Sequence, residues 1–293
     1  MVIALINLTT SLYAQNQTTK ESDQQINGFS LSGFGDKGKK SWDLAGKSAD
    51  IFTEVIKLKD VIGNLYGKDE NIKITAEEGD FNKVDGKVHL EKNVIITTSS
   101  GSKLTTDSLD WDRKNSLVTT DDMVNIERES MTTVARGVRG EPNLKKVALE
   151  KEVKVDINSS PLDTTGAGSA REKTVITCDG PLEIDYDKNV AIFNNNVKVE
   201  RPDVVIYSDK MDIFFTSNKG EPKAAVRPPE ANALMGNKVD KIIAKGNVKV
   251  VRGENISYSD EASYSAVDKK LVLNGRPRLI MYSTEGLNAP SGN

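Results

Sequence analysis

Residues 176–200 read ITCDGPLEIDYDKNVAIFNNNVKVE, and this one stretch contains a complete structural unit. Near its end Val197 and Val199 flank Lys198, and upstream Ala191 and Phe193 hold the same parity. Apolar residues at every second position are the mark of a strand with one buried face. Between the opening phrase ITCDGPLEI and this strand sits Lys188-Asn189, a dipeptide chemistry that tolerates the positive φ of a two-residue hairpin turn. The unit is therefore a β-hairpin. Midway along its second strand the polar pair Asn194-Asn195 interrupts the pattern. A polar pair has no place in a flat packed strand, so it predicts a bend.

Working outward, the same unit recurs from about Ile74 to Met281, and such self-similarity outranks any other structural signal. Opening phrases begin at Ile74, Leu104, Thr132, Ile176, Ile206 and Ser257, with Asp107, Asp179, Asp209 and Asp260 at matching places. Closing phrases begin at Asn93, Met123, Glu152, Asn196, Asn247 and Arg276. Aligned on those closings, four columns face one way. Five positions before the closing stand Val88, Val118, Val147, Ala191, Ile242 and Leu271, and three before it Leu90, Thr120, Leu149, Phe193, Ala244 and Leu273. One after it come Val94, Val124, Val153, Val197, Val248 and Pro277, and three after it Ile96, Ile126, Val155, Val199, Val250 and Leu279. Only Thr120 and Pro277 are not plainly apolar strand residues. The column between the last two, Ile95, Asn125, Lys154, Lys198, Lys249 and Arg278, is mostly charged and faces water.

Six hairpins predict about twelve antiparallel strands in a meander, because the tight turns Asp85-Gly86, Lys114-Asn115 and Lys188-Asn189 reverse the chain where a parallel β-helix would not. A bend at the same place in every second strand folds this sheet into an antiparallel trough with an apolar interior. Two inserts, NSSPLDTTGAGSAREK from Asn158 and SNKGEPKAAVRPPEANALMGNK from Ser217, are rich in Gly, Pro, Ser and charge and read as loops. Ahead of the repeats, residues 41–67 supply Trp42, Leu44, Ile51, Phe52, Val55, Ile56, Leu58, Val61 and Ile62, an atypical first segment that covers one open end of the sheet. Residues 1–14 are an uncharged apolar run ending Leu12-Tyr13-Ala14, read as a cleaved secretory signal or the remnant of an N-terminal anchor, with a short buried helix as the plain alternative. Residues 15–40 and 284–293 are polar and Gly-rich and are expected to be disordered.

Composition removes most other functions. With 40 Lys+Arg against 43 Asp+Glu, and no basic cluster, the chain lacks the footprint of a nucleic-acid binder. One Cys and one His leave no metal site of nitrogen and sulfur ligands and no disulfide framework. Cys178, without a second Cys or a nearby His, reads as an inert buried thiol. His89 falls on the outward face of its strand, and the carboxylate pairs Asp110/Asp112 and Asp185/Asp187 sit beside turns where acids are solvated. The glycines of GFGDKGKK at Gly33 lack the strand-to-helix setting of a phosphate loop. No catalytic residue, metal or cofactor is expected.

The pattern of strand, turn and Val-x-Leu-x-x-Asn-Val-x-Val, with Asp and aromatic residues in the opening phrase, resembles the OstA-like family of lipopolysaccharide-transport proteins. Residues 41–157, including ITAEEGDFNKVDGKVHLEKNVIITT, are similar to an LptC part, and residues 174–283 to LptA repeats continuous with it. The resemblance implies an all-β, V-shaped twisted β-jellyroll in the periplasm that shelters the acyl chains of lipopolysaccharide. It also implies edge-to-edge strand pairing with other Lpt-type jellyrolls, in a bridge from the inner-membrane ABC transporter to the outer-membrane translocon. On that basis the apolar columns from Val88 to Leu273 become a lipid-binding lining, which suits flexible hydrocarbon because each buried methylene contributes about 0.8 kcal/mol. The resemblance leaves open whether the chain takes the LptC part, the LptA part or both. Read without it, the same columns also fit an extracellular or periplasmic β-solenoid with a structural or adhesive role, and, third, an enzyme built on a β-helix.

Overall fold

The computed structural model describes residues 24–35, 38–67, 70–128, 131–158, 173–216, 233–234, 237–265, 267–268 and 270–282. Three strands come first: β1 (Gln24–Phe34), β2 (Lys40–Ile51) and β3 (Val55–Tyr66). The repeats follow as hairpins. They are β4 (Asn71–Asn82) with β5 (Lys87–Thr98), β6 (Lys103–Asp112) with β7 (Leu117–Arg128), and β8 (Met131–Gly140) with β9 (Lys146–Asn158). Next, β10 (Lys173–Cys178) and β11 (Leu182–Asp185) share one strand's place opposite β12 (Val190–Glu200). Last come β13 (Val205–Thr216), the two-residue β14 (Ala233–Leu234), β15 (Asn237–Arg252), β16 (Asn255–Ser265), β17 (Lys270–Asn274) and β18 (Arg278–Ile280). Among the described residues the chain is all-β, and every pairing along its one sheet is antiparallel, mostly between consecutive strands.

The alternating columns form one buried face: Val94, Ile96, Val118, Leu149, Val155 and Phe193 have no exposed surface. A single sheet cannot bury one face that completely unless it folds over on itself, so the arms on either side of the mid-strand bend pack inner face to inner face. The result is a twisted β-jellyroll trough. The bend falls one residue later than the polar pairs imply. Left-handed backbone occurs at Lys92-Asn93, Asn195-Asn196, Gly246-Asn247 and Gly275-Arg276, and at Glu152 alone in the third unit. The pairing slips at the same places, between Glu91 and Val94, Asn194 and Val197, and Lys245 and Val248. Asn and Gly recur there because they tolerate φ near +60°.

Four of the corners are clasped from the neighbouring strand. Asn196 Nδ2 donates to Asp179 Oδ2 at 2.5 Å, Asn247 Nδ2 to Asp209 Oδ2 at 2.8 Å, and Asn93 Nδ2 to Glu77. In the third unit both members change, and Arg136 Nε faces Glu152 Oε1 at 3.5 Å. The recurrent Asp of the opening phrase is thus a corner residue. Immediately before it runs a column of small buried residues, Ala76, Thr106, Ala135, Cys178, Ser208 and Ser259, which line the crease where the two arms converge.

Three expectations change. Residues 15–40 are not all without structure: β1 pairs along β2 from Gln24–Ile51 to Phe34–Lys40. Its order comes from ladder bonds to β2, together with Phe29 packed against the core and Leu31 at the cleft. The turns span four residues, 83–86, 113–116 and 186–189, instead of two. In each, an Asn or Asp at the strand end accepts backbone N–H bonds, as Asn82 Oδ1 does from Val84 and Asp185 Oδ1 from Asp187 and Lys188. Finally, Leu271 of the inner column, on β17, is 49% exposed, because among the described residues no strand pairs with the outer side of β17. The expected signal or anchor at 1–14, the tail at 284–293 and nearly all of both inserts lie outside the described residues.

Candidate functional site

Of the nineteen inner-face residues singled out from the sequence, fifteen lie in the buried core, and Ile126, Ile242 and Leu273 pack half-buried against it; only Leu271 stands apart. Lys198 points outward as its parity requires, with Nζ 2.6 Å from Glu200 Oε1 and lying over the Tyr207 ring. The arms are shut in the middle of the molecule and separate toward its N-terminal end. There an apolar cleft with a cavity of about 60 Å³ is lined by Leu31, Trp42, Leu44, Val61, Phe81 and Trp111, with Val88 and Leu90 from the inner columns.

Glycines make room for this mouth. Gly33 pairs with Trp42, and a Cβ on Gly33 would stand 1.9 Å from the indole Nε1, so the bare backbone lets the ring lie across β1. Gly46 does the same for Phe29, whose ring would be 2.6 Å from an added Cβ. The glycine that opens GFGDKGKK thus seats an aromatic ring. Over the mouth lies the Arg113 side chain from the β6–β7 turn. Its guanidinium is 4.5 Å from the Trp42 ring centre and 5.9 Å from those of Phe81 and Trp111.

The acid at the mouth is fully engaged. Asp43 accepts from Asn64 Nδ2 at 2.7 Å, Tyr66 Oη at 2.7 Å and Lys40 Nζ at 3.0 Å. These donors hold its carboxyl at about 2, the Asn64 bond contributing most. Next to the apolar cleft and sharing Leu65, Trp111 and Arg113 with it opens a more polar cavity of about 400 Å³ lined by Ser41, Tyr66, Glu70 and Glu141 among others. Of this mouth, Trp42, Leu44 and Val61 of the first segment and Val88 and Leu90 of the inner columns were legible in the sequence, and the rest was not. The aromatic ends of the opening phrases, Phe81 and Trp111, were the available signal; Arg113 carried none.

The side chains considered for catalysis have structural partners. His89 Nδ1 lies 2.7 Å from Asp110 Oδ1 on the outward face. Asp112 caps its turn through Asn115, whose backbone and side-chain N–H groups lower its pKa, and Asp185 caps the turn after β11. Burial pushes the Cys178 thiol up to about 11, far from a nucleophile at neutral pH. Among the described residues no group of His, Cys, Asp and Glu is placed to hold a metal ion. No helix of the described residues is long and apolar enough to cross a membrane.

A bent antiparallel sheet of repeated hairpins closed on an apolar interior is the fold of the OstA-like β-jellyrolls. Residues 1–158 match the family of LptC-related lipopolysaccharide-assembly proteins, and residues 176–290 match the LPS transport proteins of the LptA and LptD N-terminal-domain type. The first match covers more than half of the 293 residues, and the chain belongs to the LptC-related lipopolysaccharide-assembly family. A comparison with curated proteins gives no match.

Proposed function

We propose that this protein is a periplasmic segment of a lipopolysaccharide bridge, carrying lipid A acyl chains along its apolar trough from an inner-membrane ABC transporter toward an outer-membrane translocon. The observation that carries this reading is the continuity of the interior. The sheet runs without a break from the LptC-related half into the LptA-type half, with β10 and β11 paired to β9, so one apolar face spans both. The chain then combines the LptC and LptA parts, and its two ends are where neighbours of the same fold would join. Lipid enters where the arms already part, at the mouth around Trp42, and travels by spreading them further along the columns.

Photo-crosslinking in cells tests this. A photo-reactive residue at Leu31, which lines the mouth, is expected to capture lipopolysaccharide, while one at Ile62, exposed and apolar but adjacent to the inward Val61, is not. Equal capture at both sites would reduce the contact to nonspecific stickiness. Capture at neither, in a folded protein, would favour the second reading, a purely structural β-solenoid. That reading draws its support from the closure of the arms, where Val94, Ile96 and Leu104 leave no free surface.

A further inference from the structure

We propose that Arg113 is the headgroup anchor of the mouth, selecting amphiphiles whose polar end carries a phosphate; this rests on the lipid-carrying reading above. The Arg113 side chain is half-buried, with its guanidinium over the Trp42 ring at 4.5 Å and 5.9 Å from the centres of Phe81 and Trp111, and among the described residues it has no carboxylate partner in an ion pair or hydrogen bond. A guanidinium left without an anion at an apolar opening is a poor choice for stability alone, since a neutral or apolar side chain would cover the rings as well. Stacking uses the flat face of the group and leaves its in-plane N–H donors free, in the fork geometry that matches two phosphate oxygens.

The surroundings agree with an anion arriving from outside. The acids lining the two cavities are already engaged by the protein: Asp43 by Asn64, Tyr66 and Lys40, Glu70 by hydrogen bonds from Ser100, and Glu141 by Lys146 at 3.7 Å. Arg113 lines both the apolar cleft and the polar cavity beside it. A molecule with alkyl chains in the first and a sugar-phosphate head in the second would place its phosphate beside the guanidinium. Chains and head would be read by two adjoining surfaces, with Arg113 between them.

The chain contains two tryptophans, Trp42 and Trp111, and both line this cleft, so tryptophan fluorescence excited selectively over tyrosine reports on ligand at the mouth. The full chain and its Arg113→Lys and Arg113→Gln variants are titrated with dodecyl phosphate and with dodecyl maltoside, which share one tail. Expected is a preference of about tenfold or more for the phosphate in the parent, lost in Arg113→Gln and partly kept in Arg113→Lys. Maltoside affinity should stay level across all three, and added salt should weaken only the phosphate. If Arg113→Gln weakens both ligands equally, the arginine merely braces the cleft and the proposal fails. If the parent shows no headgroup preference while Leu31 still captures lipopolysaccharide, the anchor falls and the transport reading stands. If neither amphiphile binds and no lipid is captured, both fall.

Discussion

At the scale of single residues, the crease explains side chains that look unrelated in the sequence. Cys178 shares its column with Ala76, Ala135, Ser208 and Ser259 because the converging arms leave room for only a small group there. Cys178→Leu should therefore destabilise the protein by about 1–3 kcal/mol through overpacking, and Cys178→Ala by about 1 kcal/mol or less, as read from urea unfolding midpoints. The folded thiol should also resist alkylation at pH 8, where a pKa of about 11 leaves little thiolate. Asp43 gives a pH signature. Its carboxyl sits at about 2, below the ordinary 3.8, so folding favours its charged form; the stabilisation is complete above the unfolded value and fades as pH falls toward 2. Asp43→Asn should unfold more readily than the parent at pH 6, and the gap should close between about pH 4 and 2. A gap that persists unchanged at pH 2 would assign the loss to packing instead.

The hairpin is the repeating element, and in three units its two strands differ in kind: the second carries the left-handed corner and the first supplies the acid that clasps it, Glu77, Asp179 or Asp209. This division lets twelve-residue strands such as β5 turn through the bend without losing inner-face parity, since Val88, Leu90, Val94 and Ile96 are all buried. The terminal elements lack a partner on one side. Among the described residues β1 pairs only with β2, and β17 and β18 only with β16. Pro277 falls in the gap between β17 and β18, where its missing N–H interrupts no ladder bond. The last strand presents Leu279 at 61% exposure beside Met281 at 75%. An unpaired apolar edge invites another strand, so light scattering should show association rising with concentration. Leu279→Lys combined with Ile280→Lys should weaken it about tenfold. A strictly monomeric parent at high concentration, with no complex formed with jellyroll partners, would refute edge pairing.

For the molecule as a whole, the notable junction is the seam between the two family matches. It is made of ordinary ladder pairs, Lys173–Asn158 through Cys178–Val153 and Leu182–Leu149 through Asp185–Lys146, backed by Leu149 and Leu182 with no exposed surface. Nothing in this seam depends on the covalent tether across residues 159–172. A protease site placed in that tether and cut in the folded protein should leave halves that co-elute on size exclusion and part only under denaturant. Separation under native conditions would show that the tether, and not the strand pairing, holds the two parts together.

The strand period, the six registers and the facing of Val197 against Lys198 were all legible in the sequence, because parity along a strand is a local property that any packed sheet must respect. So was the existence of a bend, though not its exact residue pair, since left-handed backbone at Asn195-Asn196 can be told from Asn194-Asn195 only once the neighbour's Asp179 is in place. The order of β1 was hidden because its partner strand supplies it. The exposure of Leu271 was hidden because a column says which way a residue faces and not whether anything lies opposite. The mouth was legible least of all. Trp42 from β2, Phe81 from β4 and Arg113 from the β6–β7 turn are distant in the chain, and only the twist and closure of the folded sheet bring them to one opening. Local pattern determined which side chains point inward; how far the two arms close, and where they part, is decided by contacts between arms that no single strand encodes.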